Sequence, residues 1–432
     1  MKICIVGVGY VGLVSGACFA DLGNTVWCVD KDKDKIELLN NNQIPIYEPG
    51  LEELVFKNFS SGRLKFTTNL NSAVKNSDII FICVGTPVLI KNGSADLKFV
   101  FSVANEIKKY INKYKIIVTK STVPITTGDK IEKIISKSKK RSLFEVISNP
   151  EFLREGEAIR DFRFPDRIVI GSNSKKAVKK MENLYDPLIK KGAKFFYTNR
   201  RGAELIKYAS NAFLSTKITF INEIANLCEK TGINVEDVSL GIGMDQRIGG
   251  RFLRSGPAYG GSCFPKDTKA ITSTADIFKT DLSIIKAVIK SNDKRKSLLT
   301  KKVLKILSNK VSNKKITFLG VTFKANTDDM RGSTSLTMIP ALVKKGGVIK
   351  YYDPTGEKME FSKLKKVKFC NSIAEACHKS DLIIIHTEWD EFKSINFKKF
   401  TKNKKIKIYD MRNLYPVDKM KKQGFDYYSI GR

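Results

Sequence analysis

The chain has 432 residues, of which 42% are hydrophobic and 28% are charged, a balance that is ordinary for globular proteins and excludes disorder as the default. Its formal net charge of +33 at pH 7 is extreme, but most of the basic residues are lysines scattered along the whole chain. Because they form no concentrated patch, the charge favours a general attraction for phosphorylated small molecules over a specific nucleic-acid partner.

Cysteine, histidine and hydropathy patterns narrow the class of protein further. The eight cysteines include no CxxC pair, which favours reduced thiols in a reducing cytoplasm, and with only His378 and His386 available we expect no metal site. We expect no membrane segment either, because no run reaches the ~18 apolar residues that a spanning helix needs. Residues 1–20 resemble a signal peptide in hydropathy, but their glycines have motif spacing, so we interpret them as part of the fold.

The N-terminal part alternates short apolar runs with helical stretches. Such runs occupy residues 3–6, 26–29, 79–84, 116–118 and 168–170. Their continuous rather than alternating apolarity predicts parallel strands that are covered on both faces, and hence a doubly wound sheet.

The middle of the chain, between about residues 201 and 307, carries no strand signal. Residues 203–230 read as one long amphipathic helix, with apolar positions that include Leu205, Tyr208, Phe213 and Ile218. A helical spacer of this kind commonly doubles as a dimer interface.

After Lys314 the alternation of strand and helix returns, with apolar runs at residues 316–320, 348–353, 381–385 and 406–410. Their order repeats that of the N-terminal part: a strand that ends in glycine, a strand that ends in aspartate, then Ser-Asp before an aliphatic strand. We therefore predict an α/β protein with two Rossmann-like, doubly wound parallel-sheet domains joined by a long central helix. The predicted domains are residues 1–200, 201–307 and 308–432.

A dinucleotide-binding motif follows the first predicted strand. Gly7-Val8-Gly9-Tyr10-Val11-Gly12 opens a helix, and Asp30 closes the second strand. The glycines let the backbone approach a pyrophosphate at the helix N-terminus, and the Asp30 carboxylate can bind ribose hydroxyls while repelling a 2′-phosphate. The motif therefore predicts NAD rather than NADP, although Lys31, Lys33 and Lys35 weaken that preference.

Two further turns carry candidate functional groups. Gly85-Thr86-Pro87 follows the strand at residues 79–84 and offers a second place where the backbone approaches the cofactor, or an ordinary turn. Gly260-Gly261-Ser262-Cys263-Phe264-Pro265-Lys266-Asp267 sets a thiol among small residues, with a cation and a carboxylate close behind it. A thiolate nucleophile needs such a positive charge or a helix N-terminus, but a lone cysteine is more often structural.

Several blocks in the same order make the chain resemble the UDP-glucose/GDP-mannose dehydrogenase family along nearly its whole length. The block at residues 152–156 is most similar to the branch that acts on UDP-glucose. The blocks are Gly7 to Gly12, Tyr47-Glu48-Pro49-Gly50-Leu51, Ser121-Thr122-Val123-Pro124, Asn149-Pro150-Glu151-Phe152-Leu153-Arg154-Glu155-Gly156, Gly260 to Asp267 and Gly320-Val321-Thr322-Phe323-Lys324.

The resemblance implies an NAD-dependent, four-electron oxidation of UDP-glucose to UDP-glucuronate. Cys263 would attack the aldehyde formed by the first oxidation, and the thiohemiacetal would become a thioester that water hydrolyses. Lys207 and Asn211 share one helix face and would stabilise developing oxyanions. Thr122, Glu151 and Asp267 would position or activate the water, and the sequence leaves open whether Glu151 or Asp267 is the general base.

The resemblance also assigns binding residues and a homodimer. Arg247 matches a residue that reaches the neighbouring subunit's site. The cofactor-binding set is Gly7, Gly9, Tyr10, Val11, Gly12, Asp30, Lys35, Thr86, Thr122, Glu155, Lys266 and Arg331. The substrate-binding set is Glu151, Phe152, Leu153, Arg154, Lys207, Asn211, Arg247, Phe252, Tyr259, Gly260, Phe323 and Lys324.

Three alternatives stay open at the level of sequence. A sibling enzyme would oxidise UDP-N-acetylmannosamine or GDP-mannose with the same residues, and the pocket around the sugar 2-position would discriminate between them. A non-enzymatic nucleotide or nucleic-acid binding protein is supported only by the charge. A one-step alcohol dehydrogenase would need no thiol and would stop at the aldehyde.

Overall fold

The computed structural model describes residues 1–89, 91, 93–401 and 406–432, and the chain divides into two compact units. Unit 1 comprises Met1–Ser210 and Lys269–Thr280, and unit 2 comprises Asn211–Thr268 and Asp281–Arg432. Within the described residues, no helix combines the length and the apolarity that crossing a membrane requires. The domain bounds inferred from sequence stay a prediction.

Unit 1 contains a sheet that has eight strands among the described residues, in the order β3-β2-β1-β4-β5-β6-β7-β8. Neighbouring strands are parallel except for β6 and β7, which pair antiparallel. The strands are β1 (Lys2–Val6), β2 (Thr25–Val29), β3 (Leu64–Thr67), β4 (Ile79–Ile82), β5 (Lys115–Thr119), β6 (Phe144–Ser148), β7 (Arg167–Gly171) and β8 (Lys194–Thr198).

Helices connect these strands, as expected for parallel neighbours, which need long crossover connections. A short 3-10 helix, Arg141–Leu143, precedes β6. The helices are α1 (Tyr10–Asp21), α2 (Lys33–Asn40), α3 (Leu51–Ser60), α4 (Leu70–Asn76), α5 (Lys98–Tyr110), α6 (Thr127–Ser136), α7 (Ala158–Arg163) and α8 (Lys175–Ile189).

Four helices follow β8 and precede the next strand: α9 (Arg200–Thr231), α10 (Val235–Gly243), α11 (Phe264–Ile277) and α12 (Ser283–Ile306). The long helix predicted at residues 203–230 is therefore confirmed as α9. Its first residues belong to unit 1 and the rest to unit 2, while α11 begins in unit 2 and ends in unit 1.

The sheet of unit 2 has six strands among the described residues, all parallel, in the order β11-β10-β9-β12-β13-β14. Short 3-10 helices lie at Met359–Phe361 and Asp390–Ser394. The other elements are β9 (Lys315–Leu319), α13 (Ser335–Lys344), β10 (Val348–Tyr352), β11 (Val367–Phe369), α14 (Ile373–Cys377), β12 (Leu382–Ile385), α15 (Lys398–Thr401), β13 (Lys407–Asp410), α16 (Val417–Lys422) and β14 (Asp426–Ser429).

Both sheets repeat one topology. In each, the first strand of the domain lies at the centre with the second and third on one side and the fourth to sixth on the other. The central strands β4 and β12 are completely buried, as their continuous apolar sequences predict. The expectation of two Rossmann-like domains joined by a long helix is confirmed. In this topology ligands bind beyond the carboxyl ends of the strands, where the strand order reverses.

A buried carboxylate joins α9 to the start of α6. The Glu204 side chain is almost completely buried and accepts hydrogen bonds from the backbone N–H groups of Thr126 and Gly128, both at 2.7 Å. Burial raises the pKa of Glu204 to about 7. The Asp129 carboxylate also raises this pKa, whereas the two backbone N–H donors and Arg200 lower it.

Glu204 should make stability depend on pH. Between its ordinary pKa of 4.5 and the raised value of about 7, the folded protein holds a proton that the unfolded chain releases. The free energy of unfolding therefore falls as pH rises through this window, by at most ~1.4 kcal/mol per pH unit. Urea unfolding across this range should show that slope in the wild type and a smaller one in Glu204→Gln. Glu182→Gln, at a half-exposed side chain on α8, serves as control, and equal slopes for Glu204→Gln and wild type would disprove the assignment.

Candidate active site

The glycine motif forms a tight loop between β1 and α1. Gly7 has φ +98°, and a Cβ atom on Gly12 would lie 1.9 Å from the Gly7 carbonyl oxygen, so only glycine lets the helix pack on the loop. The Asp30 carboxylate accepts a hydrogen bond from the Val8 N–H at 2.8 Å. Asp30 thus fixes the loop with one oxygen, a contact that the motif alone does not reveal.

The loop fits the pyrophosphate of a dinucleotide. A Cβ atom built on Gly9, at the N-cap of α1, would meet no heavy atom within 4 Å, so there is open space in front of the helix N-terminus. That space, the unpaired N–H groups of the first turn and the helix dipole suit an anion. The Lys35 ammonium lies 3.7 Å from the Asp30 carboxylate and partly neutralises its charge.

The turns after β4 and β5 are bonded to each other. The Thr86 hydroxyl donates to the Thr122 carbonyl at 2.9 Å, and the Ser121 hydroxyl donates to the Val84 carbonyl at 2.6 Å. Thr86 and Thr122, predicted from separate blocks, are therefore neighbours at the carboxyl edge of the first sheet.

The segment after β6 contains a buried ion pair. The Lys207 ammonium lies 3.2 Å from Glu151 Oε1, and both side chains are only 4% exposed. The other Glu151 oxygen accepts the Leu153 N–H at 2.5 Å, and the Phe152 ring has the Lys207 ammonium 5.3 Å from its centroid. The guanidinium of Arg167 lies 4.0 Å from the same centroid. The structure thus joins Glu151, Phe152 and Lys207, although 56 positions separate Lys207 from Glu151.

Sequence reasoning missed the role of Glu48 within a block that it had identified. The Glu48 carboxylate accepts hydrogen bonds from the Tyr10 hydroxyl and from the N–H groups of Gly156, at 2.6 Å, and Ala158, at 2.7 Å. It therefore ties the dinucleotide motif to residues 152–156. Arg154 binds Asp161 in the same segment, at 2.6 Å.

The candidate nucleophile Cys263 immediately precedes α11. Its carbonyl oxygen accepts the Asp267 N–H at 2.8 Å, and the positive end of the helix dipole favours negative charge at this position. All eight cysteines lie among the described residues, and only Cys263 is not buried. Burial raises the pKa of both Cys83 and Cys377 to about 12, so neither is a reactive thiolate near neutral pH.

Asp267 is completely buried one turn after Cys263. One of its oxygens accepts a hydrogen bond from the Asn211 amide at 2.6 Å, and the other pairs with the Lys266 ammonium at 2.5 Å. Because Lys207 and Asn211 are four residues apart on α9, they share one face of the helix. Each of them binds a carboxylate: Lys207 binds Glu151, and Asn211 binds Asp267. The sequence predicted that shared face but not the partner of either residue.

Gly260 and Gly261 pack closely against the segment after β9. A Cβ atom on Gly261, whose φ is +81°, would lie 2.7 Å from the Phe323 ring, and the Gly261 N–H donates to the Arg331 carbonyl at 2.7 Å. Arg412 donates to the Phe323 carbonyl at 2.9 Å and fixes that residue. Arg412 was not predicted, because nothing near it in sequence marks it as functional.

The remaining predicted residues occupy several places in the fold. Phe252 and Tyr259 contact the Phe264 ring edge-to-face, with centroids about 6 Å apart. Arg247 is highly exposed and pairs with its neighbour Asp245 at 2.6 Å. The catalytic and ligand-binding roles of all the predicted residues stay predictions, those of Val11, Glu155, Lys266, Lys324 and Arg331 included.

Comparison with known proteins agrees with this geometry along the whole chain. The NAD binding domain of the UDP-glucose/GDP-mannose dehydrogenase family matches residues 1–189, its central domain residues 201–294 and its UDP binding domain residues 317–417. The chain therefore belongs to the UDP-glucose/GDP-mannose dehydrogenase family, a class of NAD-dependent oxidoreductases.

Individual relatives span several organisms. The UDP-glucose 6-dehydrogenase of Rhizobium meliloti is 48% identical, with 100% of both chains covered, and UDP-glucose 6-dehydrogenase TuaD of Bacillus subtilis is 46% identical, with 100% of this chain and 93% of the relative covered. A solved UDP-glucose dehydrogenase from Pyrobaculum islandicum is 32% identical, covers 99% of this chain and 96% of its own, and superposes with a TM-score of 0.89.

The glycine–ring contact predicts that Gly261→Ala is destabilising. Its methyl group would collide with Phe323 and add an overpacking cost of about 1–3 kcal/mol to the strain of a positive φ. Gly232→Ala is a matched control, because Gly232 has φ +73° but a Cβ atom there would meet nothing within 4 Å. Urea unfolding should show a larger loss in the free energy of unfolding for Gly261→Ala than for Gly232→Ala. Equal losses would mean that the Phe323 ring moves aside without an energetic cost.

Proposed function

We propose that this protein oxidises the 6-hydroxymethyl group of UDP-glucose to the carboxylate of UDP-glucuronate in the cytoplasm. The observation that carries the proposal is Cys263, a half-buried thiol in front of α11 with the Asn211–Asp267 pair one turn away. The family membership and the relatives named UDP-glucose 6-dehydrogenase support the choice of substrate. Eight cysteines, none of them in a disulfide within the described residues, suit a reducing compartment.

NAD, when bound at the glycine loop, takes up the hydride released in each oxidation. In the first oxidation the sugar alcohol loses a hydride and a proton and becomes an aldehyde. The Cys263 sulfur then adds to the aldehyde carbon, and the oxygen gains a proton to give a thiohemiacetal. Loss of that proton and of a second hydride leaves a thioester, which water cleaves to the carboxylate and the free thiol. Tethering prevents escape of the aldehyde between the two oxidations.

We assign different roles in this reaction to the donors on α9 and to the two carboxylates that they bind. Lys207 and Asn211 stabilise the negative charge that develops on the reacting oxygen, as fixed donors in a water-poor environment do. Both oxygens of Asp267 and both oxygens of Glu151 already have partners, so these bonds do not distinguish the two carboxylates. Glu151 and Asp267 both stay candidates for the base that activates water, with Thr122 to help orient it.

The cofactor and substrate sets divide along the chain. The glycine loop, Asp30 and Thr86 hold the NAD, and we assign the sugar nucleotide to Phe152, Leu153 and Arg154 together with Phe323 and Lys324. The match of residues 317–417 to a UDP binding domain supports the assignment of the last two. Tyr259 and Gly260 would line the same subsite beside the nucleophile.

The proposal predicts two NADH per UDP-glucose consumed, measured by absorbance at the end of the reaction. Cys263→Ser should lose steady-state turnover by several orders of magnitude, because an alcohol is a poor replacement for the thiolate nucleophile. Cys228→Ser, at a buried cysteine outside the proposed site, is the control and should keep the stoichiometry. One NADH per sugar would overturn the thioester route, and turnover of another nucleotide sugar alone would assign the protein to a sibling activity.

We also propose a homodimer formed through α9. Phe213, Phe220 and Leu227 follow one another at intervals of seven residues, so they share one helix face, and they are 65%, 50% and 59% exposed. A row of exposed large apolar groups is unusual on a monomer surface and suits burial against a second copy. Arg247, exposed on the segment after α10, would then be available to the partner's substrate.

Disruption of that row should separate the subunits. Phe220→Arg places a charge in the proposed interface, so light scattering during gel filtration should give the mass of one chain, against twice that mass for the wild type. Met359→Arg is the control, because Met359 is exposed to 82% and lies outside α9. A wild-type chain that elutes with the mass of a monomer would refute the proposal.

A further inference from the structure

The segment at residues 256–259 leads into the turn that carries Cys263 and is buried without belonging to a helix or strand. Buried backbone N–H and C=O groups that are not paired in regular structure must find other partners. Side chains from α9 and α12 supply them, and these contacts lie within unit 2. The position of the segment therefore depends on those side chains.

Arg295, on α12, is the centre of this set and is only 5% exposed. Its Nε and Nη2 both donate to the Gly256 carbonyl, at 2.8 and 2.6 Å, and its Nη1 donates to the Asn222 carbonyl at 3.0 Å. In the part of the chain that the structure describes, no carboxylate forms an ion pair with this guanidinium. Burial lowers the pKa of Arg295 to about 10, which leaves it charged at neutral pH.

The side-chain amides of two asparagines bind backbone groups of the same segment. The Asn222 side chain accepts the Gly256 N–H at 2.9 Å and donates to the Pro257 carbonyl at 3.3 Å. The Asn292 side chain accepts the Tyr259 N–H at 2.8 Å and donates to the Tyr259 carbonyl at 3.1 Å. An amide can satisfy a donor and an acceptor together, as a neighbouring strand would.

We propose that Arg295, Asn222 and Asn292 are positioning residues that set the location of the Cys263 thiol by fixing residues 256–259. This inference rests on the proposed function, in which Cys263 is the nucleophile. Gly261, two residues before Cys263, is fixed in addition by its contact with the Arg331 carbonyl, so two successive parts of the chain that leads to Cys263 are held. A displacement of about 1 Å at a nucleophile can cost a factor of ~100 in rate.

Lys302, a half-buried cation on α12, does not share this role. The Lys302 ammonium pairs with Glu229 at 2.6 Å, two turns beyond Arg295. Its removal therefore perturbs the packing of α9 and α12 without touching residues 256–259. Lys302→Met is therefore a control for a disturbance of the packing between α9 and α12.

The test compares Arg295→Lys, Asn222→Asp and Lys302→Met with the wild type. Arg295→Lys keeps the charge but loses the two-pronged donation to Gly256, and Asn222→Asp keeps the acceptor but loses the donor to Pro257. For each variant the thermal midpoint, kcat, the KM values for UDP-glucose and NAD, and the rate of Cys263 alkylation by iodoacetamide are measured. Alkylation is followed by mass spectrometry without substrates.

The two cluster variants should lower kcat by roughly 10- to 100-fold and change the alkylation rate several-fold, with the KM for NAD unchanged. Lys302→Met should keep kcat and alkylation within about twofold of wild type even where its thermal midpoint falls. Folded cluster variants that match the control in both rates would overturn the inference. Absence of wild-type activity with UDP-glucose would overturn the proposed function instead, and the alkylation rates would still decide the positioning role. If Arg295→Lys does not fold, Asn222→Asp decides.

Discussion

The structure depends on satisfying a buried polar face of α9. Along this one helix Glu204, Lys207, Asn211 and Asn222 are almost completely buried, and each has a partner on a different segment. A buried polar group without a partner costs about 1–3 kcal/mol, and a buried charge costs more. Each partner is therefore held in a defined position, and two of the partners, Glu151 and Asp267, are residues predicted to take part in catalysis. The opposite face of the helix carries the exposed apolar row.

Rigidity at the nucleophile comes from close packing as well as from hydrogen bonds. Gly260 and Gly261 allow the backbone to approach Phe323 and Gly332 where any side chain would collide. Arg412 fixes Phe323 in turn. Addition of sulfur to a carbonyl carbon requires the two atoms to be close and correctly oriented. A rigid turn favours this step, because the turn loses little conformational freedom when the substrate binds.

The buried pair of Lys207 and Glu151 has two consequences. Removal of one partner leaves the other charge buried and uncompensated, so single substitutions there affect stability. Under the proposed function, in which the Lys207 ammonium stabilises a developing oxyanion, the same low-dielectric surroundings make that ammonium more effective than it would be in water. The same desolvated charge then serves both the fold and the proposed reaction.

The sequence by itself determined most of the central strands, the long helix, the glycine loop and the family, because each depends on local periodicity or on a short motif. The interior strand β6 escaped prediction, since Glu145 interrupts its apolar run. The edge strands β3, β8, β11 and β14 escaped prediction as well; in β8, for example, Phe196 and Tyr197 are exposed and leave no buried pattern. Only the tertiary structure revealed the bonds from Glu48 to Gly156 and from Arg412 to Phe323, which span 108 and 89 positions. Such partners meet only once the strand order of each sheet has folded distant segments together, and no local signal encodes that order.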